Sequence, residues 1–205
     1  MFGHLGEGES APKLESLLPT RKPYRVSLLS SPRCGYPSLT MLLFLFTACA
    51  ADPTAEGTWD LVTPEDWVQV PVEQDPFVEG AAPPDCQARG VVVEEGVLEV
   101  LTELCPWATL SQPSRVDVAP GDRLELFAFH GPLSAPEPAE GVMQLRVQDT
   151  PLWGVTVPIP SEDGVYIESW EASEGWEAGA TLTLHVHNHG ANAWRFVSLE
   201  RTRGE

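Results

Sequence analysis

The chain has 205 residues, twenty prolines, seventeen glycines and a formal net charge of −18. That length suits one domain behind a leader, and turn formers spaced between short runs of Val, Leu and Ile predict an all-β fold rather than a helical one. Beyond Cys49 there are seven arginines, no lysine and 27 acidic residues, a balance that excludes nucleic acid as a partner, because phosphate backbones are bound through clusters of Lys and Arg.

Residues 1–48 read as a leader. Met41–Ala51 is an apolar run, shorter than the roughly 20 residues that span a bilayer and of the length of a signal-peptide h-region. Its end, Leu45-Phe46-Thr47-Ala48-Cys49, resembles a bacterial lipobox, with Phe46 standing where leucine is usual. The resemblance implies lipidation of Cys49, a new N-terminus there and attachment to the membrane through a lipid anchor. Ala50, in place of aspartate, is similar to lipoproteins sorted to the outer membrane of the cell envelope. The alternative is cleavage after Ala48-Cys49-Ala50, an A-x-A site that releases a soluble periplasmic or secreted protein. The polar, Pro-rich first forty residues exceed any usual n-region and predict a translation start near Val26 or Leu28.

Residues 49–66 read as an acidic tether and 67–205 as the folded domain. Trp67–Pro71 is a first short strand, and Glu73–Asp85 has loop composition. Arg89–Val93 and Val97–Thr102 form a hairpin around Glu94-Glu95-Gly96. Cys86 and Cys105 bracket that hairpin. With Cys34 removed and Cys49 lipidated, they are the remaining thiols of an exported chain, which predicts a disulfide worth roughly 3 kcal/mol by loop closure. A thiolate pair for a metal lacks the close C-x-x-C spacing.

Val116–Leu126 reads as two strands around Pro120-Gly121. The second continues to His130, with Leu124, Leu126, Ala128 and His130 on one face and Phe127 and Phe129 on the other, which predicts cover on both sides. After a Pro-rich crossover, strands follow at Val142–Gln148, Trp153–Ile159 and Val165–Trp170. Ala172–Ala178 is a loop, and Thr181–His187 and Trp194–Glu200 close the chain around Asn188–Asn192. About nine short strands at regular spacing predict an antiparallel β-sandwich or jelly roll with one disulfide. Gly179–Leu199 resembles the closing hairpin of galactose-binding-like jelly rolls, a likeness of architecture only. Its His-Asn-His-Gly-x-Asn-x-Trp signature is similar to one in bacterial lipoproteins and implies no function.

In a strand, His185 and His187 point the same way about 7 Å apart, with Leu182, Leu184 and Val186 facing the core. His189 continues the parity. Two or three imidazoles can hold Zn²⁺ or Cu²⁺ if His130 or a carboxylate completes the shell. The spacing from Gly179 to His185 and His187 matches the opening of the cupin metal motif, but Ala191 and Asn192 stand where its glutamate belongs. A cupin is rejected, and with no Cys and Met nearby so is a cupredoxin. On the other reading the histidines are outer-face residues bonded to acidic neighbours, while Asn188, His189, Gly190 and Asn192 shape the turn.

Trp107, Trp170 and Trp176 fall beside loops or strand ends, where an indole can stack on a sugar ring with Asn188 and Asn192 as hydrogen-bonding partners. Trp153 and Trp194 read as core. Ser161-Glu162-Asp163-Gly164 offers oxygens for Ca²⁺ without EF-hand spacing and reads as a solvated turn, so no cofactor is expected. G-x-S-x-G and H-E-x-x-H are absent from the sequence, and with them their hydrolytic chemistry. The leading expectation is an envelope-anchored, non-enzymatic binding module for a glycan or a protein. A Zn or Cu protein built on the histidine ladder is second. A small glycan hydrolase, needing only two carboxylates at a set separation, is third.

Overall fold

The structure is a computed structural model that describes residues 57–77 and 89–203. The predicted leader, the predicted lipidation site Cys49 and the predicted disulfide partner Cys86 lie outside the described residues. Eleven strands occur among them: β1 (Gly57–Asp60), β2 (Val68–Gln69), β3 (Val91–Glu94), β4 (Val97–Leu101), β5 (Trp107–Pro113), β6 (Arg123–His130), β7 (Ala139–Val147), β8 (Thr150–Ile159), β9 (Gly164–Glu171), β10 (Thr181–His187) and β11 (Ala193–Arg203).

They form two antiparallel sheets. One runs β3-β4-β11-β6-β9, with β1 added to the C-terminal half of β11, and the other runs β2-β5-β10-β7-β8. Counting β4 to β11 as eight consecutive strands, the orders are first-eighth-third-sixth and second-seventh-fourth-fifth. Apart from the β7–β8 hairpin, neighbours in sequence thus alternate between sheets, as in a jelly roll of two Greek keys. The expected all-β sandwich is present, with two more strands than the sequence suggested.

Alternation along each strand builds the core. Leu98, Val100, Leu124, Leu126, Trp194 and Phe196 from one sheet face Leu110, Met143, Leu145, Leu182, Leu184 and Val186 from the other, all at most 1% exposed. β5 escaped the sequence reading because its inward residues are Ala108, Leu110 and Gln112, a weak apolar alternation. Val116–Val118, expected as a strand, supplies only a single bridge from Val118 to Trp176. Pro151 and Pro158 sit within β8, which is tolerated because β8 borders its sheet and one side of it owes no ladder bonds.

Two expectations are corrected. The tether predicted over residues 49–66 is part of the sandwich from Gly57 onward: β1 pairs with Glu200–Arg203 of β11, and Leu61 is fully buried. Asp117 and Asp122 bind Arg201 and Arg203 of β11, and the Arg201 guanidinium lies 4.3 Å from the Trp59 ring. An acidic segment with few apolar residues is therefore held by strand pairing, the buried Leu61 and one indole on an arginine that Asp117 fixes. Phe127 and Phe129, expected under cover, are half-buried on the outer face of β6. The Arg195 guanidinium lies 5.3 Å over Phe129 and is itself held by Glu99 at 2.5 Å.

Candidate functional site

β10 is the middle strand of the five-stranded sheet, and its parity turns Thr183, His185 and His187 away from the core. In register across the outer face, Trp107 of β5, His187 and Val142 of β7 make one row, while Thr109, His185 and Gln144 make the next.

His185 is not the exposed residue that parity alone predicts. It is 6% exposed because Phe77, from the segment after β2, stacks on its ring at 4.2 Å with 15° between planes. Nδ1 lies 2.8 Å from Thr109 Oγ1, so its hydrogen-bond partner is a hydroxyl rather than the expected acid. Burial pushes the imidazole down to about 4, opposed by Asp75 and assisted by His187. At neutral pH this ring is uncharged.

His187 is half-buried and His189 exposed, with ring centroids 4.9 Å apart. His185 and His187 are 6.3 Å apart. His187 is held below the ordinary imidazole value, first by burial and then by His189. The two rings line one wall of a groove of about 820 Å³, and the loop between β6 and β7 supplies the opposite wall with Pro136, Glu137 and Pro138; Glu140 and Val142 of β7 complete it. Glu140 shares the outward parity of Val142, a relation readable in the sequence. Glu137 and Phe77 come from loops, where no periodicity points to them.

His130 is not brought to this ladder. It belongs to the other sheet, is 2% exposed and packs on Trp194 at 4.7 Å. Its Nδ1 lies 2.7 Å from the Gly131 carbonyl and its Nε2 lies 3.0 Å from the Tyr166 hydroxyl. A carbonyl only accepts, so Nδ1 carries the proton and Nε2 accepts from the tyrosine. Burial raises the Tyr166 phenol, which keeps that donor protonated. Among the described residues no group of three or more His, Cys, Asp or Glu is placed to hold a metal ion. Ser161, from the turn considered for Ca²⁺, pairs with Leu133.

Asn188 and Asn192 are committed to the fold instead of to a ligand. Asn188 is fully buried: its Nδ2 donates to Thr102 Oγ1 at 3.1 Å and its Oδ1 accepts from Trp194 Nε1 at 3.3 Å. Asn192 Oδ1 accepts from Ser134 N at 2.8 Å, and its Nδ2 donates to Ser134 O at 3.0 Å. Gly190 has φ +117°, and a Cβ there would stand 2.0 Å from the Ser134 carbonyl oxygen. The signature is a lock that fixes the β10–β11 turn against the loops after β4 and β6. Its histidines at 187 and 189 are the part left to face solvent.

The tryptophans divide. Trp107 is half-buried beside His187, whereas Trp170 and Trp176 line a separate pocket of about 160 Å³ at the other end of β7, next to Val147. Trp176 also bonds Ser114 Oγ through Nε1 at 3.2 Å. Trp194 is fully buried, as the sequence reading expects.

No protein-family model and no curated protein matches the chain. Among solved structures it is similar to one described as "CBM4 structure and function", at 12% identity over 69% of this chain and 89% of that one, with a TM-score of 0.40. A second is TmCBM61 in complex with beta-1,4-galactotriose, at 9% identity over 58% and 77% with a TM-score of 0.36. A third is CBM35 from Paenibacillus barcinonensis, at 11% over 72% and 99% with a TM-score of 0.30.

Proposed function

We propose that this protein is a non-enzymatic binding module of the cell envelope that takes a glycan in the groove between the β10–β11 turn and the β6–β7 loop. The observation that carries the reading is the composition of that groove. His187 and His189 offer ring nitrogens, Glu137 and Glu140 offer carboxylates, and Pro136, Pro138 and Val142 form an apolar wall. Sugars present hydroxyls around their rim and C–H groups on their faces, and a concave site with a few convergent polar groups on an apolar wall complements both. Trp107, next to His187 in the same row, extends the surface with an aromatic edge. A glycosidase acid depends on a carboxyl whose pKa burial has raised, whereas Glu137 and Glu140 are both exposed.

Titration calorimetry with a panel of neutral oligosaccharides tests the reading. His187→Ala and Glu140→Gln are each expected to weaken the best ligand about tenfold, the loss of one good hydrogen bond to a charged or ring partner, and Trp170→Ala is expected to leave it unchanged. Binding that survives both groove variants and is lost in Trp170→Ala moves the site to the other end of the sandwich and refutes the proposal.

The anchoring half of the reading rests on Leu45–Cys49. Lipidation at Cys49 tethers the jelly roll to the outer membrane through the residues before Gly57. The Cys86–Cys105 disulfide belongs to the same reading and is supported by the complete burial of Cys105 in a chain destined for an oxidising compartment.

A further inference from the structure

Five strands border the two sheets among the described residues, and four of them are blunted. β1 and β3 are four residues long, β2 is two, and β8 carries Pro151 and Pro158. β9 differs. It runs eight residues from Gly164 to Glu171 with neither proline nor basic residue, pairs on one side with β6, and has no strand on its other side among the described residues.

Its outer face also carries the two most exposed large hydrophobic side chains among the described residues. Val165 is 62% exposed and Ile167 77% exposed, and they stand cross-strand from Phe129 and Phe127, whose rings are 5.9 Å apart. A long edge of unsatisfied N–H and C=O groups beside an apolar face is a template for strand addition, which proteins ordinarily obstruct with prolines, lysines or short strands.

Charge selects the occupant. Glu162, Asp163, Glu168 and Glu171 are all exposed along or beside β9. The arginines on the neighbouring strands, Arg123 and Arg195, are engaged by Glu125 and Glu99. A second copy paired antiparallel about Ile167 would set Glu171 opposite Asp163, and each chain carries a net charge of −18. Like charges placed opposite in a ladder oppose pairing.

We propose that β9 is a strand-addition site for an extended, basic segment of a partner protein. Alternate apolar side chains of that segment cover Val165 and Ile167, and the intervening Lys or Arg residues meet Glu168. The site lies on the six-stranded sheet and is independent of the groove on the other sheet.

A labelled octapeptide alternating valine and lysine, titrated against the purified full chain by fluorescence polarisation, provides the test. The same peptide N-methylated on alternate residues keeps its charge but loses ladder donors. Saturable binding is expected, weakened at least about tenfold by N-methylation and by Ile167→Lys, the scale of one large apolar side chain left uncovered. His187→Ala is expected to leave peptide affinity unchanged. Equal binding of the methylated peptide reduces the interaction to charge alone and overturns the proposal, as does an absence of saturable binding. A wild-type dimer in size-exclusion chromatography that Ile167→Lys makes monomeric overturns it too, since the edge would then belong to a second copy.

Discussion

Lowering the pH from neutral should remove a definite amount of stability through His185. Its imidazole titrates at about 4 in the fold, against an ordinary value of about 6.5 in the unfolded chain. The unfolded state therefore takes up this proton first as pH falls. The stabilisation is complete above about pH 6.5 and is lost progressively towards pH 4. At about 1.36 kcal/mol per pH unit the whole interval amounts to roughly 3 kcal/mol, most of it already lost near pH 4.5. For a domain with an ordinary net stability of about 5–15 kcal/mol that is a large share.

Urea unfolding followed by tryptophan fluorescence measures it, at about pH 7 and about pH 4.5, on the wild type and on His185→Gln. Acid titrates many carboxylates as well, but those are common to both proteins, so the difference between the two pH dependences isolates the histidine. His185→Gln is expected to lose some stability at neutral pH with the Phe77 stack and the Thr109 bond, yet to fall less steeply, by about 2–3 kcal/mol over the interval. Parallel curves would refute the claim that a buried, neutral imidazole is held beneath Phe77.

Phe77→Ala uncovers the same ring, and its titration by NMR should move up from about 4 towards the ordinary imidazole value, a direction that an unchanged midpoint would contradict. Asn188→Ala strands the indole N–H of a fully buried Trp194 and should cost about 2–3 kcal/mol of unfolding free energy in urea; an unchanged midpoint would contradict the lock. Cys49→Ser should abolish incorporation of a clickable palmitate analogue in cells, and continued labelling would move the modification elsewhere.

The fold was largely legible because β7 and β10 carry clean apolar–polar alternation, β4, β6 and β11 each keep an apolar inward row, and turn residues close them. β5 was not, since Ala108 and Gln112 do not advertise an inward face. β1 was hidden because its place in the sheet is fixed by Arg201 and Arg203 from the far end of the chain, a partnership that local pattern does not carry. The site was half legible. Period-two spacing put His185 and His187 on one outward face, which is where they are, but parity says nothing about what lies on top of a sheet. Phe77 covers one of the two and leaves the other in the groove, a distinction made by a loop with no periodicity of its own.

The same limit explains the Asn188–Trp194 signature. Asn and Gly read as turn formers, and in a free hairpin they would be no more than that. Here the turn is clamped on two sides: Thr102 Oγ1 receives bonds from Asn188 Nδ2 and Asn192 N, and the Asn192 amide spans Ser134. Gly141 of β7 is part of the same fit, because a Cβ there would come within 2.7 Å of both Asn188 Oδ1 and the Trp194 ring. A turn held this way fixes the wall that carries His189 and faces the β6–β7 loop, and Ser134 ties that loop to it. The groove keeps its width because Asn192, in the turn of one wall, bonds Ser134 in the loop of the other, so residues that do not line the groove set the spacing of His187, His189 and Glu140.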